Sequence, residues 1–152
     1  QDFLGRRLLL ENATNYIEFN HSTLSEIEFT NALVQQADCD LLFDVNNVYV
    51  NQQNHGSDAL ALIKQLPLDR IKEIHLAGFE DCGDFLLDAH NNKVSKPVWQ
   101  LYEQLQLLKP GIATQVEWDA NLPELSVLMA EADKAQLIMD KVMDNVMGRV
   151  SL

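Results

Sequence analysis

Carboxylate and imidazole side chains follow apolar segments at four places along the chain. Glu11 lies in the segment RRLLLEN, Asp44 follows CDLLF, His75 lies near the end of IKEIHLAGF, and Glu117 follows GIATQV. Carboxylates that gather without a cation have raised pKa values and cost stability, whereas a divalent ion removes that cost. Carboxylate and imidazole donors without thiolate suit iron, manganese or zinc. If the four segments meet, these side chains predict a metal centre.

Further donors lie close to these positions in the sequence. Asn47 comes three residues after Asp44, and the pair Asp88 and His90 occurs in LLDAH. Each position has an ordinary explanation as well. An aspartate after a strand usually caps a helix or closes a turn, a histidine in an apolar strand is more often a hydrogen-bonded core residue, and a neighbouring arginine would pair with a glutamate. The joint pattern, with one donor on each strand, favours the metal centre.

The elements that would position these donors alternate between strands and helices. The apolar segments are nearly continuous, which is typical of parallel strands covered on both faces. Alternation of this kind predicts an α/β fold with a parallel sheet, whose strands end at one edge. The sequence disfavours a nucleotide site of the Rossmann type, since no glycine-rich loop follows a strand. The predicted strands are 6–12, 39–47, 71–79 and 111–119, and the predicted helices are 22–37, 58–66, 97–108 and 122–147.

Length, charge and cysteine content limit the classes of protein and partner that fit this chain. The chain has 152 residues, enough for one domain spanning 1–152, and a net charge of −12 disfavours a nucleic-acid partner. No apolar run approaches the ~20 residues that span a bilayer, so no membrane partner is expected. Two cysteines, Cys39 and Cys82, are too few for a disulfide framework and favour a reduced, cytoplasmic setting. The N-terminus has no features of a signal peptide. It also lacks an initiator methionine, which suggests a processed or cut piece of a longer protein.

Five longer stretches of the sequence carry a specific family pattern. They are LLLENATNYIEF, LLFDVNNVYVNQQNHG, LPLDRIKEIHLAGF, LLDAHNNKVSKPVWQLYEQL and QVEWDANLPELSVLMAEADKA. These stretches resemble domain-of-unknown-function family 692, also called UPF0276. The resemblance runs from about Arg7 to Ala135 and implies a TIM barrel of the xylose-isomerase and endonuclease IV type. Four strand–helix units are about half of such a barrel, which usually needs ~250 residues, so we expect the C-terminal half of the barrel.

The resemblance also implies which residues bind metal, although it assigns no catalytic residue. Asn47 stands where the endonuclease IV pattern has a histidine, which implies weaker ligation at one position. His55 and Asp119 belong to the same motifs and are expected near the ligands or the substrate. Asn12, Asn46 and Tyr16 could orient the ligands, although a turn or packing role is more common. The implied ligands are Glu11, Asp44, Asn47, His75, Asp88, His90 and Glu117.

By resemblance to the iron subunit of the methanobactin-making enzyme, the expected function is oxidation. The complete protein would hold two or three iron ions, with manganese or zinc as alternatives. It would modify cysteine in a ribosomally made precursor peptide together with a peptide-recognition partner protein. Two other readings remain open: a metal-dependent hydrolase or isomerase of the same barrel group, and a non-catalytic barrel fragment. A half-barrel is expected to associate with its missing N-terminal half or with a second copy, and to be inactive alone if it does neither.

Overall fold

The sheet confirms the predicted α/β class. The computed structural model describes the backbone of residues 1–150 and the side chains of residues 1–148. The strands are β1 (Leu9–Glu11), β2 (Asp40–Asp44), β3 (Ile71–Leu76), β4 (Glu80–Asp81), β5 (Leu86–Leu87) and β6 (Ala113–Val116). The main sheet is parallel, with the strand order β1-β2-β3-β6, and the short antiparallel hairpin β4–β5 forms a separate sheet.

Among the described residues, four α-helices lie between strands and a fifth follows the last strand. Their start residues reflect local capping chemistry. Ser25 caps the first helix in a reciprocal capping box with Glu28, and Asp58 caps the third. Ser95 caps the fourth helix, so that Pro97 is its second residue and not its first. The helices are α1 (Glu26–Ala37), α2 (Val45–His55), α3 (Ala59–Gln65), α4 (Lys96–Leu108) and α5 (Leu125–Val150). No helix in the described part of the chain is long and apolar enough to span a membrane.

The core lies between the central strands and the helices packed on them. Phe43 of β2 and Ile74 of β3 belong to the same buried cluster as Val98, Tyr102 and Leu105 of α4. Burial of each large apolar side chain contributes roughly 1.5–3 kcal/mol relative to exposure. The outer strands are more exposed, and among the described residues β1 and β6 are each paired on one side only. The central strands β2 and β3 are therefore the rigid base for the side chains at their ends.

The register aligns the carboxyl ends of the strands. Asp44 is directly opposite His75, and Glu11 is opposite Leu42 on the same strand as Asp44. Just beyond β6, the backbone N–H of Glu117 donates to the carbonyl of Leu76 at 2.9 Å. The four strand-end donors thus leave the sheet at one edge.

Several predicted boundaries were wrong. The strand predicted over 71–79 ends at Leu76, the strand predicted over 111–119 is limited to Ala113–Val116, and the helices predicted from 22 and 122 begin at Glu26 and Leu125. The strand predicted over 39–47 ends at Asp44, and the next eleven residues form helix α2. This helix contains asparagine and β-branched residues of low helix propensity, and it forms because six of its residues are buried against the rest of the fold. The first strand is limited to Leu9–Glu11, since Arg7 instead pairs with Asp38 at the opposite end of the sheet.

Candidate metal centre

The four strand-end side chains lie together. Glu11, Asp44, His75 and Glu117 each offer a nitrogen or oxygen atom, and these atoms all lie within 4.8 Å of one another. Nδ1 of His75 is 3.0 Å from Oε2 of Glu117 and 3.8 Å from Oε1 of Glu11. Donors at these separations can bind one cation, because no ligand atom has to travel far to reach it.

A second group of donors shares Glu117 with the first. His90, Glu117 and Asp119 also offer atoms that lie within 4.8 Å of one another. Nδ1 of His90 is 3.3 Å from both Oε2 of Glu117 and Oδ2 of Asp119. The His90 backbone has a φ of 46° and its carbonyl accepts hydrogen bonds from the N–H groups of Asp119 and Ala120. This contact holds the loop after β5 against the segment that follows β6.

Asp44 and Asn47 combine a capping role with unused oxygen atoms. Oδ1 of Asp44 accepts a hydrogen bond of 2.7 Å from the backbone N–H of Asn47, which starts helix α2. Asn47 donates its own side-chain amide to the carbonyl of Asn12 at 3.0 Å. The second carboxylate oxygen of Asp44 and the amide oxygen of Asn47 are buried and have no hydrogen-bond partner. The capping explanation and the ligand explanation therefore apply to different atoms of the same residues.

Buried polar atoms without a hydrogen-bond partner are concentrated at this edge of the sheet. Protein interiors leave few such atoms, and a bound cation would give them a partner. Among the described residues, the only ones elsewhere are the indole nitrogens of Trp99 and Trp118. The donor set of carboxylates, amide oxygens and imidazoles therefore fits a divalent metal centre. The atoms at the edge are Asp44 Oδ2, Asn46 Oδ1, Asn47 Oδ1, His75 Nδ1, His90 Nδ1 and His90 Nε2.

Electrostatics in the metal-free protein point the same way. Burial raises the pKa of Asp44 to about 7, against the backbone hydrogen bond from Asn47, which lowers it. Burial also raises the pKa of Glu11. The short contact with the Asp88 carboxylate raises the pKa of His90 to about 9. Protons thus take the place of missing positive charge, and metal binding would have to displace them.

The remaining predicted residues are divided between two cavities. Asp88 lies 2.7 Å from Nε2 of His90 and belongs to neither donor group. His55 contacts the carbonyl of Asn15 and lies 3.7 Å from Glu18, beside a larger cavity of about 1070 Å³. A smaller cavity of about 500 Å³ is lined by several of the donors, although Asp44 and His75 are not among them; its walls are Glu11, Asn12, Ala13, Thr14, Tyr16, Asn47, Asp88, His90, Glu117 and Asp119.

Two residues, Asn12 and Thr14, hold other residues of the site in place. Asn12 exchanges two hydrogen bonds with the backbone of Asp44, of 2.9 and 2.8 Å, and so ties the end of β1 to the end of β2. From the sequence, both an orienting role and a turn or packing role are open for Asn12. Thr14, which donates to Asp88 at 3.0 Å, was not identified, because a single threonine in a loop carries no sequence pattern.

A parallel α/β sheet with carboxylates and imidazoles converging at its carboxyl edge makes this chain an α/β protein with a possible metal site. Comparison with known families identifies the chain more closely. The sequence profile of the RiPP precursor modification enzymes MbnB/TglH/ChrH matches residues 1–140. The chain belongs to this family.

Curated relatives carry the name UPF0276 protein. One from Acaryochloris marina is 53% identical over 89% of this chain and 49% of its own length. One from Vibrio parahaemolyticus is 42% identical over 93% of this chain and 51% of its own length. One from Anaeromyxobacter is 45% identical over 89% of this chain and 48% of its own length. The chain therefore spans about half the length of the curated relatives it matches.

Proposed function

We propose that the protein to which this chain belongs is a multinuclear non-haem iron oxidoreductase that modifies cysteine in a ribosomally made precursor peptide. Family membership supports a peptide substrate and a metal-dependent reaction. The observation that carries the proposal is the convergence of Glu11, Asp44, His75 and Glu117 at one edge of the sheet. In this assignment Asn47, Asp88 and His90 complete the ligand set.

Iron is proposed because its donors and its chemistry both suit the reaction. The site offers oxygen and imidazole nitrogen atoms and no thiolate, a set typical of non-haem iron. When bound, iron supplies the redox chemistry by which a peptide thiol loses electrons to dioxygen. Since the protein then needs no organic cofactor, its own part is to hold the ions and to place the thiol.

The chain's side chains divide these tasks. Glu117 belongs to both donor groups and would be a ligand that the two groups share. The cavity of about 500 Å³ has room for a cysteine side chain and its peptide backbone beside the donors. Tyr16 and Asp119 line the cavity and are exposed, so a phenol ring and a carboxylate would be available to contact the peptide. Partial burial of the donors limits water and strengthens their electrostatic interactions with bound ions.

The architecture proposed for the complete protein is a TIM barrel of the xylose-isomerase type, and residues 1–152 would form its C-terminal half. Four parallel strands in the order β1-β2-β3-β6 and donors at their carboxyl ends support this assignment. The outer strands β1 and β6 would then pair with strands of the other half. A peptide-recognition partner protein and a cytoplasmic setting complete the proposal.

Anaerobic reconstitution with iron tests this function. A full-length relative and this chain would each be loaded with Fe²⁺ and mixed with a cysteine-containing precursor peptide encoded beside the gene. Exposure to dioxygen should change the mass of the peptide at its cysteine, whereas a Cys→Ser peptide should stay unmodified. Activity with zinc on a phosphate ester or a sugar would instead support the hydrolase or isomerase reading. Failure of the full-length protein to bind metal would leave the non-catalytic reading.

A further inference from the structure

Both oxygens of the Asp88 carboxylate are held by neutral donors. The hydroxyl of Thr14 donates to Oδ2 at 3.0 Å, and the side-chain amide of Asn46 donates to Oδ1 at 2.8 Å. The backbone N–H of Asp88 in turn donates to the hydroxyl of Tyr16 at 2.9 Å. Three contacts therefore fix the position of Asp88 and the plane of its carboxylate.

The groups that hold Asp88 are distant from it in the sequence. Thr14 lies in the loop after β1, Asn46 in the first turn of α2, and Asp88 directly after β5. Asn46 is fully buried, and its Oδ1 has no hydrogen-bond partner. A buried amide whose oxygen lacks a partner costs free energy, so Asn46 is a poor choice for packing alone, and its hydrogen bond to Asp88 gives it another task.

The held carboxylate faces the second donor group. Oδ1 of Asp88 lies 2.7 Å from Nε2 of His90, whose Nδ1 lies 3.3 Å from Glu117. Each carboxylate oxygen has two lone pairs, and Thr14 and Asn46 each use one. One lone pair on each oxygen thus remains for His90 or for a cation, and the carboxylate cannot rotate without breaking two hydrogen bonds.

We infer that Thr14 and Asn46 are positioning residues that preorganise Asp88 beside His90 and thereby set the affinity of the cation bound there. This inference deepens the proposed function and rests on it. Residues that orient a metal ligand typically change metal affinity by about 10–100-fold when they are replaced. Thr14 is the more informative of the two, because valine has nearly its shape and lacks only the hydroxyl group.

The experiment is a titration of the metal-free chain with Co²⁺, followed by the visible absorption of the bound ion. The phase of the titration curve that Asp88→Asn weakens or removes is assigned to the ion bound near Asp88. Thr14→Val and Asn46→Leu should weaken that part by about tenfold or more and shift its spectrum, whereas Thr14→Ser should bind like the wild type. Thr114→Val is the matched control, since the Thr114 hydroxyl lies 3.1 Å from that of Tyr102 and has no hydrogen bond to Asp88. It should lower thermal stability and leave the Co²⁺ curve unchanged.

The outcomes separate this inference from the proposed function. Wild-type binding that Thr14→Val and Asn46→Leu leave unchanged would overturn the inference and leave the proposed function intact. An equal loss in Thr114→Val would also overturn it, because the effect would then follow from general destabilisation. A wild-type chain without Co²⁺ binding would contradict the proposed metal centre itself, and the inference would fall with it.

Discussion

Nδ1 of His75 lies 3.0 Å from Oε2 of Glu117, across the boundary between the neighbouring parallel strands β3 and β6. The same glutamate oxygen lies 3.3 Å from Nδ1 of His90, which reaches the site from the loop after β5. Glu117 is therefore the junction of the two donor groups. Its replacement should affect both, unlike that of any residue that belongs to only one.

Glu117→Gln should weaken cation binding in both groups. His75→Ala should weaken only the first and His90→Ala only the second, because each belongs to a single group. Losses of at least about tenfold are expected, comparable to those for residues that orient ligands. Co²⁺ titration followed by absorbance measures the two phases. A Glu117→Gln variant that loses one phase alone would show that the groups do not share this ligand.

Asp44→Asn should stabilise the metal-free protein at alkaline pH. The folded-state pKa of Asp44 is raised from 3.8 to about 7, so its contribution to stability is present below the unfolded-state pKa and is lost as pH rises through about 7. Asparagine keeps the helix cap and avoids the buried charge. We expect a gain of about 1–3 kcal/mol at pH 8 that vanishes towards pH 4.

Urea unfolding in the presence of a chelator measures this gain. Asp58→Asn is the matched control, since Asp58 caps α3 in the same way from an exposed position. It should show no gain at pH 8. An equal gain in both variants would assign the effect to capping or net charge, and no gain in Asp44→Asn would contradict the cost of the buried carboxylate.

Gly78→Ala should destabilise the fold and disturb the loop that carries His90. A Cβ at this position would lie 2.6 Å from the carbonyl oxygen of Lys93 and closer still to that of Asn92. Both are backbone atoms, so the loop must move, at a cost of about 1–3 kcal/mol. Chemical denaturation and Co²⁺ titration should both show losses. Gly148→Ala, which meets no atom within 4 Å, should show neither.

The isolated chain should associate in solution. The edge strand β1 is open on one side and carries Leu9, and Leu8 just before it is also exposed. Open edges and exposed apolar side chains favour pairing with another chain. Light scattering at micromolar concentration should report a dimer or a larger species, and Leu9→Lys should shift it towards the monomer. A wild-type monomer under these conditions would contradict the prediction.

The sequence predicted the parallel strands and the order of the side chains that follow them, but not every element around them. Near-continuous apolar runs ending in Glu11, Asp44 and Glu117 gave the strands and their order of donors, because parallel strands must end at one edge. Helix α2 was missed since its asparagines suggest turns, and only the folded chain shows that Asn46, Asn47 and Asn51 are buried. Tertiary packing overrides local propensity in such a segment.

Contacts between distant segments could not be read from the sequence. The hydrogen bond from Thr14 to Asp88 joins two loops 74 residues apart, and no local pattern marks either end. The assignment of Asp88 as a ligand came from the family resemblance, and it remains a prediction, as does metal binding by the other six residues.

The most direct measurement is the metal content of the chain after anaerobic loading with Fe²⁺ and removal of unbound metal. We expect the wild-type chain to retain at least one iron ion. A variant that combines Glu11→Gln, His75→Ala and Glu117→Gln should retain none. A wild-type chain that retains no more iron than this variant would contradict the metal centre.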